Sequence, residues 1–217
     1  MSKNILWLVA LLISFSMGLS SCAEDTPVSD PYENWQARNE HYIDSIAAVA
    51  KANVDGSWER VLSYKINSVT TGTSLTDFDN DQYVYMQVLK PANEEGIAPL
   101  FTDSVSVYYR GELINGEVFD YNYSGDLNTE IHTPTTFALQ SKTTTGLTDG
   151  LIVGWVTALQ QMKEGMRVRL YIPSDLGYGA QEQSSIPSYS TLIYDLELDK
   201  VIHPVGPDDR SRALSEE

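Results

Sequence analysis

Six aromatic side chains, Tyr109, Phe119, Phe137, Trp155, Tyr178 and Tyr194, fall on or beside segments that read as strands or helix, and an acid, Asp120, directly follows one of them. Rings of this size bury large apolar areas, and Tyr and Trp carry a polar tip. Such a set either fills a core or walls a pocket for an apolar group, with hydrogen bonds at its edge. Spacing alone leaves both readings open. The residue sets behind most other chemistries are missing. The three histidines, His41, His132 and His203, sit in a helical pattern, a loop and just past a strand end, and Cys22 is the single cysteine, so no metal-ligand spacing is present. No phosphate-cradling glycine loop and no nucleophile-elbow serine occur. Asp77, Asp79 and Asp81 begin like a calcium loop, but Gln82 stands where the turn glycine belongs and Val88 where the bidentate acid belongs. They read as solvated loop acids. Any reaction here is expected to run without a metal, a covalent nucleophile or an organic cofactor.

Those side chains need a fold to hold them, and the composition supplies one. The 217 residues are 42% apolar, 10% aromatic and 20% charged, as in a folded globular protein of one domain with extras, or at most two small domains. Fourteen basic residues stand against 30 acidic ones, a formal charge of −16, which disfavours nucleic acid as a partner because phosphate binding needs a basic surface. Lys3 followed by the apolar run Ile5–Leu19 reads as an export signal, too short to span a bilayer comfortably. Leu19-Ser20-Ser21-Cys22 resembles a bacterial lipobox, so the expected mature chain starts at a lipidated Cys22. That chain would be held at an envelope membrane outside the cytoplasm, with the outer membrane the expected site. Residues 22–29 are small, polar and acidic, suited to a tether.

Residues 30–81 are expected to form an N-terminal extension. Asp30, Pro31 and Glu33 suit a capped helix start, and Tyr32, Trp35, Asn39, Tyr42, Ile43, Ile46, Val49 and Ala50 recur at helical spacing. This stripe needs a partner, either the chain's own domain or a second copy. Strands are expected over Arg60–Ile66, Gln82–Lys90, Ser104–Gly111, Glu117–Tyr121, Thr135–Leu139, Met166–Ile172 and Thr191–Ile202. Asn115-Gly116 marks a hairpin whose two turn positions would both take positive φ. Leu151–Met162 reads as a helix ended by Gly165. His203–Glu217 is a polar tail.

Several motifs then stand in a telling order: Val107-Tyr108-Tyr109-Arg110-Gly111, Gly116-Glu117-Val118-Phe119-Asp120, Gly154-Trp155, Ile172-Pro173-Ser174-Asp175-Leu176-Gly177-Tyr178-Gly179, Ile186-Pro187 and Leu192-Ile193-Tyr194-Asp195-Leu196-Glu197-Leu198. In order and spacing this series, over about Gln82–Ile202, resembles the FKBP-type peptidyl-prolyl cis-trans isomerases. The resemblance implies an α+β fold, an antiparallel sheet wrapped around one short helix. It also implies that Trp155 floors a proline pocket walled by Tyr109, Phe119, Phe137 and Tyr194. Asp120 would face the substrate carbonyl and Tyr178 would donate a hydrogen bond. Leu151 and the Ile152 backbone N–H would hold the peptide, and Ile186 and Pro187 would overhang it. Departures from the pattern are Thr135 in place of a further aromatic, Tyr189 in place of a histidine, and long segments at 122–134 and 140–150.

The function expected on this reading is prolyl isomerisation that helps exported proteins fold, with proline-containing segments of those proteins as partners. A non-catalytic chaperone on the same fold and a glycan-binding lipoprotein are the other readings.

Overall fold

The computed structural model describes residues 30–66, 78–140 and 151–204. The expected export signal, Cys22, the expected tether, Asp77, the segment 141–150 and most of the tail therefore lie outside the described residues. The chain divides into two compact units, residues 1–33 and 34–217. In the first, Asp30–Glu33 form a turn in which the Asp30 carboxylate accepts from the Tyr32 N–H at 2.9 Å and its carbonyl from the Glu33 N–H at 3.1 Å. Asp30 thus caps no helix: its side chain serves a local turn, an arrangement that competes with a first helical turn.

The second unit opens with α1 (Trp35–Ala52), bracketed by Asn34 and Asn53, both in the left-handed region at φ 52° and 39°. Its buried residues, Trp35, Asn39, Ile43, Ala47 and Ala50, recur every three or four positions, whereas Val49, expected in the stripe, is 49% exposed. The strands are β1 (Trp58–Leu62), β2 (Tyr83–Lys90), β3 (Ser104–Glu112), β4 (Val118–Tyr121), β5 (Thr135–Ala138), β6 (Arg167–Ile172) and β7 (Leu192–Ile202), with a second helix α2 (Val153–Leu159) between β5 and β6. They form one antiparallel sheet in the order β1-β2-β6-β7-β3-β4, and β5 pairs with the first half of β3 while β4 pairs with its end.

Three expectations need correction. The first strand ends at Leu62, because Ser63–Ile66 close a turn with the Ile66 N–H on the Ser63 carbonyl at 2.9 Å. The Asn115-Gly116 hairpin forms with a different turn: only Gly116 takes positive φ, 83°. Its N–H donates to Leu113 and the Leu113 N–H to Glu117, each at 2.9 Å, giving a three-residue loop with a glycine bulge. The helix read as Leu151–Met162 is regular only over seven residues, and Gly165 does not end it. Gly165 instead lies at φ 80° in the turn from Lys163 to Met166, with Asn93 side-chain atoms 2.3 Å from where a Cβ would be.

The sheet is covered on both faces. Tyr83, Tyr85, Tyr171 and Ile193 pack against Ile43, Ala47 and Ala50 of α1, flanked by Tyr42, Ile46, Trp58, Leu62, Phe78 and Ile114. The partner of the α1 stripe is therefore the chain's own sheet. The alternate residues of the same strands, Val84, Met86, Leu170, Ile172 and Leu192, are fully buried on the other side, where α2 packs on β2 and β6. Gly154 permits that approach, since a Cβ there would lie 2.4 Å from Ile172 Cγ2. Covering both faces explains why Tyr83–Met86 are buried without a break.

Candidate active site

Trp155 sits in the first turn of α2, its N–H on the Ile152 carbonyl at 3.1 Å, and is 4% exposed. Three rings stand edge-on around it: Tyr109 at a centroid distance of 5.2 Å, Phe137 at 5.5 Å and Tyr194 at 5.1 Å, with interplanar angles of 82°, 78° and 80°. Edge-to-face pairs of this kind are worth about 0.5–1.5 kcal/mol each beyond their buried area, so the rings fix one another. Above the indole lies a hollow of about 140 Å³, lined by Tyr109, Asp120, Phe137, Leu151, Ile152, Trp155, Tyr178 and Tyr194. Sites for whole small ligands run to roughly 300–1,000 Å³. This one has room for a single side-chain ring.

The chain folds this way because β3 delivers Tyr109 and β7 delivers Tyr194 from neighbouring strands, Gly111 pairing with Tyr194. A Cβ on Gly111 would lie 2.6 Å from Phe119 Cζ and 2.7 Å from Tyr194 Cε1, so this glycine makes room for both rings. Phe137 arrives on β5, opposite Val105. Ile152, at the lip, is extended at φ −60°, ψ 153°.

The polar groups gather on one side. The Tyr109 hydroxyl donates to Asp120 Oδ2 at 3.2 Å, and Asp120 is itself exposed. Burial, and after it the Asp120 charge, pushes the Tyr109 phenol up to about 12. Burial also raises Tyr178, with Asp120 adding to it. It raises Tyr194 well above the ordinary phenol value, Tyr178, Asp120 and Tyr109 contributing in that order. All three phenols are thus neutral hydrogen-bond donors at neutral pH. The buried Trp155 indole N–H lies beside Tyr194 without a hydrogen bond of good geometry.

Eight of the residues assigned to the pocket from the sequence line this hollow, and Phe119, Ile186 and Pro187 do not. Phe119 stands one ring behind, edge-on to Tyr194 at 5.4 Å and 88°. Ile186 is 6% exposed and closes a tight turn with Gln183, each N–H donating to the other's carbonyl. Thr135 turns its hydroxyl to the Asn122 side-chain amide, 3.1 Å away. Asn122 is a residue that sequence reasoning missed. Its Oδ1 accepts from the Tyr109 N–H at 2.9 Å and its Nδ2 donates to the Val107 carbonyl at 2.8 Å, holding β3 where β4 has peeled away. The only available signal was an amide residue directly after a strand. Cys22 lies outside the described residues. Among the described residues no group of three or more His, Cys, Asp or Glu side chains is placed to hold a metal ion, and no helix is long and apolar enough to cross a membrane.

Comparison with known proteins points the same way. Residues 97–199 match the family model described as FKBP-type peptidyl-prolyl cis-trans isomerase. The FKBP-type peptidyl-prolyl cis-trans isomerase FkpA of Escherichia coli (strain K12) is 38% identical over 105 residues, which cover 48% of this chain and 33% of that protein. The FKBP-type 22 kDa peptidyl-prolyl cis-trans isomerase of the same strain is 36% identical over 110 residues, 50% of this chain and 46% of that one. The chain thus spans between a third and a half of the length of these relatives. Among solved structures, a peptidyl-prolyl cis-trans isomerase from Pseudomonas syringae pv. tomato str. DC3000 matches with a TM-score of 0.51 at 27% identity, covering 80% of this chain and 98% of that one. Residues 97–199, just under half of the chain, are thus similar to the FKBP-type peptidyl-prolyl cis-trans isomerases.

Proposed function

We propose that this protein is a prolyl isomerase that assists the folding of exported proteins and is held at the cell envelope through lipid on Cys22. The observation that carries the catalytic part is the ring-sized hollow floored by Trp155, walled by Tyr109, Phe137 and Tyr194 and edged by Asp120 and Tyr178.

Twisting a peptide bond costs about 18–20 kcal/mol because resonance is lost. In the planar amide that resonance places negative charge on the carbonyl oxygen. A dry aromatic cleft solvates this charge poorly, so it raises the planar state more than the twisted one. The proline ring enters between Tyr109, Phe137 and Tyr194 and rests on Trp155, which fixes one side of the rotating bond. The Tyr178 hydroxyl donates to a substrate carbonyl. Asp120, held by the Tyr109 hydroxyl, sets the field at the polar edge. No proton moves and no covalent bond forms. Each tenfold gain needs about 1.4 kcal/mol, within reach of desolvation and one or two oriented hydrogen bonds.

A protease-coupled assay on a short X-Pro peptide, run with the full chain, tests the reading. Acceleration at micromolar enzyme is expected, falling about tenfold in Tyr178→Phe, which loses one hydrogen bond. No acceleration by a chain whose circular dichroism shows it folded would leave a binding module and refute the catalytic reading. The anchor is tested separately by fatty-acid labelling, which Cys22→Ser should abolish.

A further inference from the structure

The loop that carries Tyr178 and returns to β7 is held from an unexpected side. In the first turns of α1, the Trp35 indole N–H donates to Ser190 Oγ at 2.9 Å, and the Ser190 hydroxyl passes the bond on to the Pro187 carbonyl at 2.6 Å. One helical turn later, Asn39 Oδ1 accepts from the Thr191 N–H at 2.7 Å, while Asn39 Nδ2 donates to the Trp35 carbonyl at 2.8 Å. All four residues are buried: Trp35 7%, Asn39 3%, Ser190 4% and Thr191 1% exposed. Directly before the two anchored residues lies Tyr189, a non-glycine residue at φ 60°, whose N–H donates to the Gly179 carbonyl at 2.7 Å. Gly179 directly follows Tyr178, which lines the hollow.

A tyrosine in the left-handed region persists only where its surroundings leave it no alternative. Here the surroundings are the contacts of α1 on Ser190 and Thr191 at one side and the Gly179 carbonyl at the other. The hydrogen bonds from the Trp35 indole through Ser190 to the Pro187 carbonyl and the separate bond from Tyr189 to Gly179 are joined by the backbone of residues 187–190, which links α1 to the backbone beside Tyr178. Buried polar groups satisfied in series rigidify the segments they join, and losing one leaves its neighbours unpaired.

We infer that α1 is a positioning element of the isomerase site: Trp35 and Asn39 hold the 187–191 segment so that Tyr178 presents its hydroxyl to the substrate. Trp35 and Asn39 touch no reacting atom and act through Tyr178. The inference rests on the catalytic reading above. It goes beyond that reading by giving the N-terminal extension a part in turnover.

The test is a double-mutant cycle in the full chain. Trp35→Phe keeps an aromatic ring, a smaller one, and removes the indole N–H. It should lower kcat/KM about five- to tenfold, mainly through kcat, yet change it by less than twofold when Tyr178 is already Phe. Asn39→Ala should behave alike, and Asn39→Asp, which keeps the acceptor for the Thr191 N–H, should recover part of the loss. An equal loss in both backgrounds, or no loss in either, would overturn the inference. Amide hydrogen exchange gives a readout independent of activity. The Tyr189 N–H should exchange at least tenfold faster in Trp35→Phe, with the β3 amides unchanged, and an unaltered rate would refute the clamp. A parent chain inactive on X-Pro peptides would sink the catalytic reading, while the exchange result would still decide the clamp.

Discussion

At Gly111, the absence of a methyl group sets the shape of the hollow. A Cβ there would push on Phe119 and Tyr194 at contacts of 2.6 and 2.7 Å. Gly111→Ala is therefore expected to destabilise the fold by about 1–3 kcal/mol in urea melts and to reduce kcat/KM more than the stability loss explains, because the displaced rings form or support the pocket wall. The phenols make a second prediction. With Tyr109 pushed up to about 12 and Tyr178 also raised by burial, neither donor ionises near neutrality, so kcat/KM should be flat from about pH 6 to 9. A phenol limb inside that window would remove Tyr178 as the donor. The aromatic set and Asp120 were legible in the sequence because their types and order carry the family resemblance. The displaced position of Phe119 and the buried turn at Ile186 were not, since both depend on how neighbouring segments stack. Asn122 was hidden for a related reason: its amide matters only because β4 leaves β3 early, a feature of register and not of composition.

α1 shows how far periodicity carries at the level of elements. Its three-and-four spacing announced a helix with one apolar face, but the partner of that face was set by the tyrosines of β2 and β6, which read from sequence only as strand formers. Trp58 stacks on Tyr171 at 5.6 Å and 23°, and Tyr42 lies 6.3 Å from the same ring, so the face is an aromatic layer. Ile43 is 4% exposed within it, and Ile43→Ala should cost about 3 kcal/mol by chemical denaturation. A change below about 1 kcal/mol would mean that α1 is not part of the cooperative unit. Helix ends were the least legible feature. Asp30 and Gly165 have the right residue types for caps but serve turns, because a nearby hydrogen-bond partner claimed each of them.

Across the whole molecule, titration has opposite consequences at the two ends of the pH scale. Asp44 on α1, Asp79 and Asp81 on the turn before β2, and Asp175 on the turn after β6 gather near one another. Burial raises the Asp81 carboxyl, followed by Asp175, Asp79 and Asp44. A carboxyl raised in the folded state binds its proton more tightly there than in the unfolded chain, so lowering the pH through its folded value relieves strain. Asp81→Asn should accordingly stabilise the protein at pH 7 by a few tenths of a kcal/mol, the site being exposed, with the advantage fading by about pH 4. At the alkaline end the buried phenols Tyr109, Tyr123 and Tyr194 all hold their protons above the ordinary value of 10. The unfolded chain ionises first, and urea midpoints should fall between about pH 9 and 11.

The place of β7 between β6 and β3 carries a further consequence. No sheet can close until synthesis has passed Ile202, because everything made earlier consists of two half-sheets lacking the strand that joins them. Unfinished molecules would display open seams on both halves, so this chain needs protection, or speed, during its own birth.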